Sequence, residues 1–263
     1  MEDRSFGLAG RYNALDGNLG QVLRRRLLAR QLDLHLPAVP AGILDVSGGA
    51  GQQSIPLARE GHEVTILDTS REMLEEARHR LNAADEEVRR RVRLVRGAGE
   101  EMPGTFTATF DAALCHGVVM YLEDPRPMIR GLAAAVRPGG IVSMLAKNAA
   151  ALAVRSALKG RYREALALLD TDRAAGGLGA VTRGDTVEGL SGSFAGAGLE
   201  IERWYGVRVF TDHLGYRPPG DELPDVLELE WEAGRRDPYR SVARLIHIVG
   251  RKPVAHREGG DPA

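Results

Sequence analysis

Short apolar runs alternate with amphipathic stretches through the first 146 residues of the chain. Gly42–Ser47 is apolar and bounded by glycines, which predicts a buried strand, and Gln52–Glu60 follows as a helix. His62–Asp68 ("HEVTILD") reads as a second strand. Arg71–Ala84 places Met73, Leu74, Ala77 and Leu81 at helical spacing, with Ser70 positioned to cap its amino end. Val92–Gly97 and Phe110–Gly117 are the third and fourth strands. Pro125–Val136 is helical and stops at the turn Arg137–Gly140 ("RPGG"), and Gly140–Ala146 is the fifth strand. Apolar strands separated by helices call for right-handed crossovers and a parallel sheet covered on both faces.

The remaining pattern departs from that alternation. Leu152–Leu169 reads as helical, and Arg173–Gly184 as a glycine-rich loop. Asp185–Ala197 reads as a helix closed by Gly198. Leu199–Phe210 and Val242–Lys252 read as two final strands, with the charged helix Asp221–Arg235 between them. The expected architecture is therefore α/β, with a seven-stranded, mostly parallel sheet. Residues 1–41 form a helical extension with an amphipathic piece at Gln21–Leu36, carrying Val22, Leu27, Leu28, Leu32 and Leu36. Residues 42–253 form the main domain, and 254–263 a polar tail.

Composition narrows the function classes only a little. At 263 residues, one α/β domain is the simplest division and two are open. A formal net charge of −1 argues against a non-specific nucleic-acid binder, though not against a local basic patch. The one cysteine, Cys115, points to a reducing compartment and excludes an intramolecular disulfide; no zinc-like Cys/His spacing occurs, so no metal is expected. The N-terminus lacks a signal-peptide pattern, and no apolar run reaches the ~20 residues of a membrane span, so a cytoplasmic location is expected.

The chemistry starts at "GILDVSGGAGQQ", Gly42–Gln53, where a strand ends in Asp45 and runs into Gly48, Gly49, Ala50 and Gly51. In open parallel sheets, ligands bind beyond the carboxyl ends of the strands. Glycines there supply positive φ and let a ligand lie on the backbone. The spacing fits the dinucleotide fingerprint poorly. Asp68, ending the second strand, is placed to accept ribose hydroxyls or to cap the following helix. Asp45 lies near the place of a sulfonium or ammonium group, or is a buried acid bonding loop amides. "GAGEEM", Gly97–Met102, puts small residues and then acids where an adenine edge would lie. Together with the "RPGG" turn and the two terminal strands, these features favour a class I methyltransferase using S-adenosyl-L-methionine over a dehydrogenase.

The chain resembles the S-adenosylmethionine-dependent tRNA 5-carboxymethoxyuridine methyltransferases over about residues 1–253. The resemblance rests on "LDVSGGAGQ", "GHEVTILDTS", "RPGGIVSML", "FDAALCHGVVMYLEDPR", "KNAAAL", "DPYRSVARLIHIVGRKP" and above all "YGVRVFTDHL", Tyr205–Leu214. It implies cofactor contacts from Arg24, Gly49, Ala50, Asp68, Ala98, Gly99 and His116, with tRNA as substrate. Ala50 stands where the family's turn usually carries Glu, so one polar contact differs.

Methyl transfer to a carboxylate needs no general base, because the acceptor (pKa ~4) is already ionised at neutral pH. It needs a cation to hold the acceptor, and arginine's planar fork suits that task. Arg208 is the main candidate. If Leu199–Phe210 is one strand, Arg208 shares a face with Gly206 and Phe210, while Tyr205 packs on the other. An alternating strand also allows Arg208 to face solvent. His116 either bonds the cofactor, acts as a base toward a hydroxyl, or is structural; Asn148 either orients the acceptor or caps the next helix. Arg24, in the run Arg24–Arg26, pairs with the cofactor's carboxylate if the extension folds over the site, whereas Arg89–Arg91 reads as a solvated helix face. The rival readings are methylation of a small-molecule carboxylate, hydroxyl or amine, and a non-catalytic cofactor-binding regulator.

Overall fold

The computed structural model describes residues 17–99, 102, 106–176 and 180–254. In chain order its elements begin with α1 (Leu19–Leu32), β1 (Gly42–Val46), α2 (Ser54–Glu60), β2 (Glu63–Asp68), α3 (Arg71–Asn82) and α4 (Glu86–Arg91). These are followed by β3 (Val92–Arg96), β4 (Phe110–His116), α5 (Arg126–Ala135) and β5 (Val136–Lys147). The chain then forms α6 (Val154–Leu158), α7 (Tyr162–Ala167), β6 (Arg173–Ala175), β7 (Val181–Arg183) and α8 (Val187–Ala195). It closes with β8 (Glu200–Val207), α9 (Leu223–Ala233) and β9 (Leu245–Arg251).

Seven strands form one sheet in the order β3-β2-β1-β4-β5-β9-β8. Strands β1–β5 pair in parallel, and β9 runs antiparallel to both β5 and β8. The expected seven-stranded, mostly parallel α/β architecture is therefore present. The order reverses between β1 and β4, and a crevice at the carboxyl ends of those strands is where such a sheet binds ligands.

Strand alternation sorts the core. Leu44, Val46, Ala113, Cys115, Val142 and Met144 face α5 and α8, while Ile43, Ile66, Ala112, Leu114 and Ile141 face α2 and α3. Ser70 caps α3 as expected, its side chain accepting from the Met73 amide at 3.3 Å. A third cluster joins Leu19, Leu23, Leu27 and Leu28 of α1 to Leu145, Val207, Leu245 and Trp231. Thus α1 shares a core with β5, β8, β9 and α9. Its first turn is fixed by Asn18, which accepts from the Gln21 amide.

Four expectations are corrected. Arg173–Gly184 is not simply a loop: β6 and β7 pair antiparallel within it. Lys147, fully buried at the end of β5, donates to Ala174 O and to Thr182 Oγ1 and ties the hairpin down. Leu152–Leu169 is broken by Gly160 (φ 73°) into two short helices. The strand into "YGVRVF" ends at Val207, because Arg208 has φ 64°. Finally, β5 begins at Val136 and carries the "RPGG" turn as an irregularity, its register stepping from Val136 opposite Phe110 to Ile141 opposite Ala112. Arg89–Arg91 are engaged locally, Arg90 with Glu86 and Arg91 with Glu87, which is the solvated-face arrangement.

Candidate active site

The carboxyl ends of β1, β2, β4, β5 and β8 converge on one edge of the sheet. On its β1–β2 side the chain turns sharply, with Ser47, Gly49 and Gly51 all at positive φ. A Cβ on Gly48 would lie 2.7 Å from Asp45 Oδ2, so the close approach of backbone to this acid requires glycine. Asp68 holds the turn from the next strand: Oδ2 accepts from the Gly49 amide (2.9 Å) and Oδ1 from the Ser70 amide (2.8 Å). Asp68 thus organises the loop and anchors the start of α3. Each of its oxygens keeps a further lone pair.

Asp45 is buried and accepts from Ser54 Oγ at 2.6 Å. Burial pushes its carboxyl up to about 6; the Ser54 bond opposes the rise, the charge of Asp68 adds to it, and Arg24 opposes it. Ionisation of Asp45 therefore costs the native state stability as pH rises from the ordinary 3.8 through about 6. A cation laid between Asp45 and Asp68 would recover that loss. Ala50, at the position of the expected Glu, is buried against Met73. Gly99 packs on Met128, where a side chain would collide, and Ala98 precedes it. Glu100 and Glu101, expected near an adenine edge, lie outside the described residues.

α1 brings Arg24 to the same edge. Its Nη2 donates to the carbonyl of His116 at 3.0 Å, above Gly117. The ring of His116 turns inward, with Nε2 2.9 Å from Ser143 Oγ, while Nδ1 is buried without a partner among the described residues. Burial, reinforced by Arg24, pushes His116 down to about 3, so the imidazole is neutral across the physiological range. It is a poor fit for a general base working near neutrality.

The β5–β8 side is built around Arg208. Its guanidinium lies against Gly20, where a Cβ would come within 2.8 Å. Gly20 and Arg24 are four residues apart on α1, about 6 Å along the axis and on one face. Arg208 Nη2 donates to Asp212 Oδ1 at 2.8 Å, and Arg244 lies 3.7 Å from the other oxygen. The loop after β8 is held by Glu230 of α9. Its carboxylate accepts from the amides of Val209 (2.5 Å) and Phe210 (3.0 Å) and from Thr211 Oγ1 (2.7 Å). Arg155, Arg208, Asp212, His213 and Arg244 line a common pocket. Nε of Arg155, Nε of Arg208 and Nδ1 of His213 are buried there without partners among the described residues.

Asn148 and Tyr205 are engaged within the scaffold. Asn148 caps the turn that follows β5, accepting from Ala150 N, and donates to Ser241 O and Ala243 O. These bonds support the capping alternative. Tyr205 is buried, hydrogen-bonded to His35 and stacked on His247, which is a packing role. Sequence reasoning missed Glu230, Ser143, His247, Arg155 and Arg244. The polar positions inside the otherwise apolar runs "GIVSMLA" and "LIHIVG" were the available signal for Ser143 and His247.

Residues 44–142 match the protein-family profile described as a methyltransferase domain. The chain carries a methyltransferase domain. Over 259 residues it is 29% identical to the tRNA 5-carboxymethoxyuridine methyltransferase of Escherichia coli (strain K12), covering 96% of this chain and 98% of that protein. The ubiquinone biosynthesis O-methyltransferase of Xanthomonas euvesicatoria pv. vesicatoria (strain 85-10) is 34% identical over 159 residues, 58% of this chain and 63% of that protein. The crystal structure of an S-adenosylmethionine-dependent methyltransferase from Mesorhizobium loti superposes with a TM-score of 0.60 at 20% identity, covering 88% of this chain and 100% of that one. The cofactor of this class is S-adenosylmethionine. The residues at this edge fit the chemistry of that group: two buried acids suit cationic groups, a glycine turn allows close backbone approach, and an imidazole nitrogen without a partner among the described residues lies with the guanidinium of Arg24. Among the described residues no helix is long and apolar enough to cross a membrane.

Proposed function

We propose that the methyltransferase esterifies the carboxylate of 5-carboxymethoxyuridine at the wobble position of tRNA, acting in the cytoplasm. The observation that carries this reading is the pocket of Arg208. A guanidinium stands one helical turn from Arg24, and its Nε and that of Arg155 are buried donors without acceptors among the described residues. Unsatisfied cationic donors in a concave site call for an anionic acceptor, and a carboxylate matches arginine's fork. The E. coli relative, aligned over nearly the whole chain, bears the name of that reaction.

Arg24, Asp45, Gly48–Gly51, Asp68, Ala98, Gly99 and His116 would hold S-adenosylmethionine at the β1–β2–β4 edge. Bound there, it supplies a methyl group on a sulfonium, open to displacement by an oxygen nucleophile. Arg208 orients the carboxylate, and Asp212 and Glu230 hold Arg208 and its loop in place. No proton has to be removed, which agrees with the depressed basicity of His116. Phe210, two residues after Arg208, and Tyr239, before β9, are both exposed and pack edge-to-face with ring centroids 6.0 Å apart. Phe210 from the loop after β8 and Tyr239 from the turn before β9 provide an aromatic surface of the kind on which an unpaired base stacks.

The test is incubation with methyl-labelled S-adenosylmethionine and total tRNA, beside a small-molecule extract from the same cells. Label in the tRNA fraction, released by mild alkali as an ester, is the expected result. Label only in the extract would replace tRNA by a small acceptor. Cofactor binding without label in either fraction would make the chain a cofactor-binding regulator.

A further inference from the structure

A line of four side chains crosses the sheet from α1 to the cofactor edge. Gln31, fully buried, places Oε1 2.7 Å from His247 Nδ1. His247 Nε2 lies 2.7 Å from Ser143 Oγ, which lies 2.9 Å from His116 Nε2. The rings of His116 and His247 meet edge-on at 5.6 Å, and Tyr205 stacks on the far side of His247. Each link admits one donor, so the first bond fixes the rest. A carbonyl oxygen only accepts, so His247 carries its proton on Nδ1. Its Nε2 is then a lone pair that accepts from the Ser143 hydroxyl. The hydroxyl oxygen in turn accepts from Nε2–H of His116.

We infer that Gln31 and His247 are positioning residues, which through Ser143 hold His116 as its Nε2–H tautomer and present an Nδ1 lone pair to the cofactor edge. Nδ1 is the buried ring nitrogen with no partner among the described residues. Arg24, bonded to the carbonyl of His116, sets a positive charge on the backbone side of the ring, where Nδ1 lies. That charge favours a lone pair there over an N–H. The groups facing the two rings are Arg24 from α1, Ser143 from β5, and His35 and Tyr205 beside His247. Among the described residues none of these is a carboxylate that would favour an imidazolium. The use of the lone pair by a cofactor donor group rests on the proposed function; the tautomer does not.

Nitrogen-15 spectra of the full-length protein, labelled at histidine and free of ligand, test the tautomer directly at neutral pH. The expected pattern is protonated Nε2 and bare Nδ1 for His116, and the opposite for His247. A proton on Nδ1 of His116, as a turned-over Gln31 amide would impose, overturns the inference, and so does an imidazolium. Ser143→Ala, a small change, should leave the pattern of His247 intact and release His116 to a mixture of tautomers. Gln31→Met should release both rings, although Gln31 does not touch His116. If His116 keeps its pattern in both folded variants, the relay is absent. Calorimetry with S-adenosylmethionine should show about 2- to 10-fold weaker binding for Ser143→Ala, the scale of one hydrogen bond. Unchanged affinity beside a released tautomer would sink the lone-pair role while leaving the relay. Absence of binding by the unaltered protein would sink the proposed function instead.

Discussion

The two sides of the carboxyl edge are built differently. The β1–β2 side is local: Asp45, Gly48–Gly51 and Asp68 lie within 24 residues, and their partners Ser54, Ser70 and Met73 are close by in the chain. The β5–β8 side is assembled from afar. Arg208 is shaped by Gly20 from α1, Asp212 from its own loop and Glu230 from α9, and shares a pocket with Arg155 and Arg244. The local side is negative, with two buried acids, and suits a cationic cofactor. The assembled side is positive and suits an anionic acceptor. α1 bridges them, with Gly20 against one and Arg24 over the other.

The sharpest way to break this division is Arg208→Ala. It should lower kcat/KM about 100-fold, the scale of two charge-assisted hydrogen bonds, while calorimetry shows cofactor affinity within about twofold. Arg208→Lys keeps the charge and loses the fork, so it should remain well below the unaltered enzyme. Equal losses of cofactor affinity and turnover would merge the two sides into one.

Asp68→Ala attacks the other side. It removes the acceptor for Gly49 and Ser70, and should weaken S-adenosylmethionine binding by about 1–3 kcal/mol. Circular dichroism should show the sheet intact. Unchanged affinity in the folded variant would remove Asp68 from the cofactor site.

Glu230→Gln tests whether distant support matters. One fewer acceptor for the Val209–Thr211 segment should cost about 3- to 10-fold in kcat/KM, the scale of a single weakened bond, with cofactor affinity unchanged. A loss in cofactor affinity without a loss in turnover would contradict the assignment of this loop to the acceptor.

The difference between the sides also explains what the sequence revealed. The glycine turn, Asp45, Asp68 and the strand–helix alternation are legible because their partners are near in sequence and their periodicity is short. Arg208 was legible as a candidate, but its geometry was not. Strand alternation placed it opposite Tyr205, whereas its positive φ ends β8 one residue earlier. Glu230 holds the amides that follow Arg208, and no local pattern reports a carboxylate 21 residues away. The Gln31–His247 contact, 216 residues apart, is invisible to spacing for the same reason. For Asn148 the sequence left acceptor contact and capping open, and its hydrogen bonds serve a turn.

A smaller effect should appear with pH. Asp45 titrates near 6, so S-adenosylmethionine affinity should fall severalfold as pH drops from 7.5 toward 5, because the protonated acid no longer attracts a cation. Asp45→Asn should flatten that dependence. A dependence that survives in Asp45→Asn would assign the titration to another group.

The central claim is that an arginine-held carboxylate accepts the methyl group without a base. It is tested most directly by mass spectrometry of nucleosides from tRNA carrying 5-carboxymethoxyuridine, after timed incubation with enzyme and S-adenosylmethionine between pH 6 and 8. The account predicts the methyl ester of that nucleoside, formed at saturating cofactor with a rate constant that is flat through ~6.5, where an ordinary histidine would titrate. Absence of the ester, or a rate that rises through that value and loses the rise in His116→Ala, would contradict it.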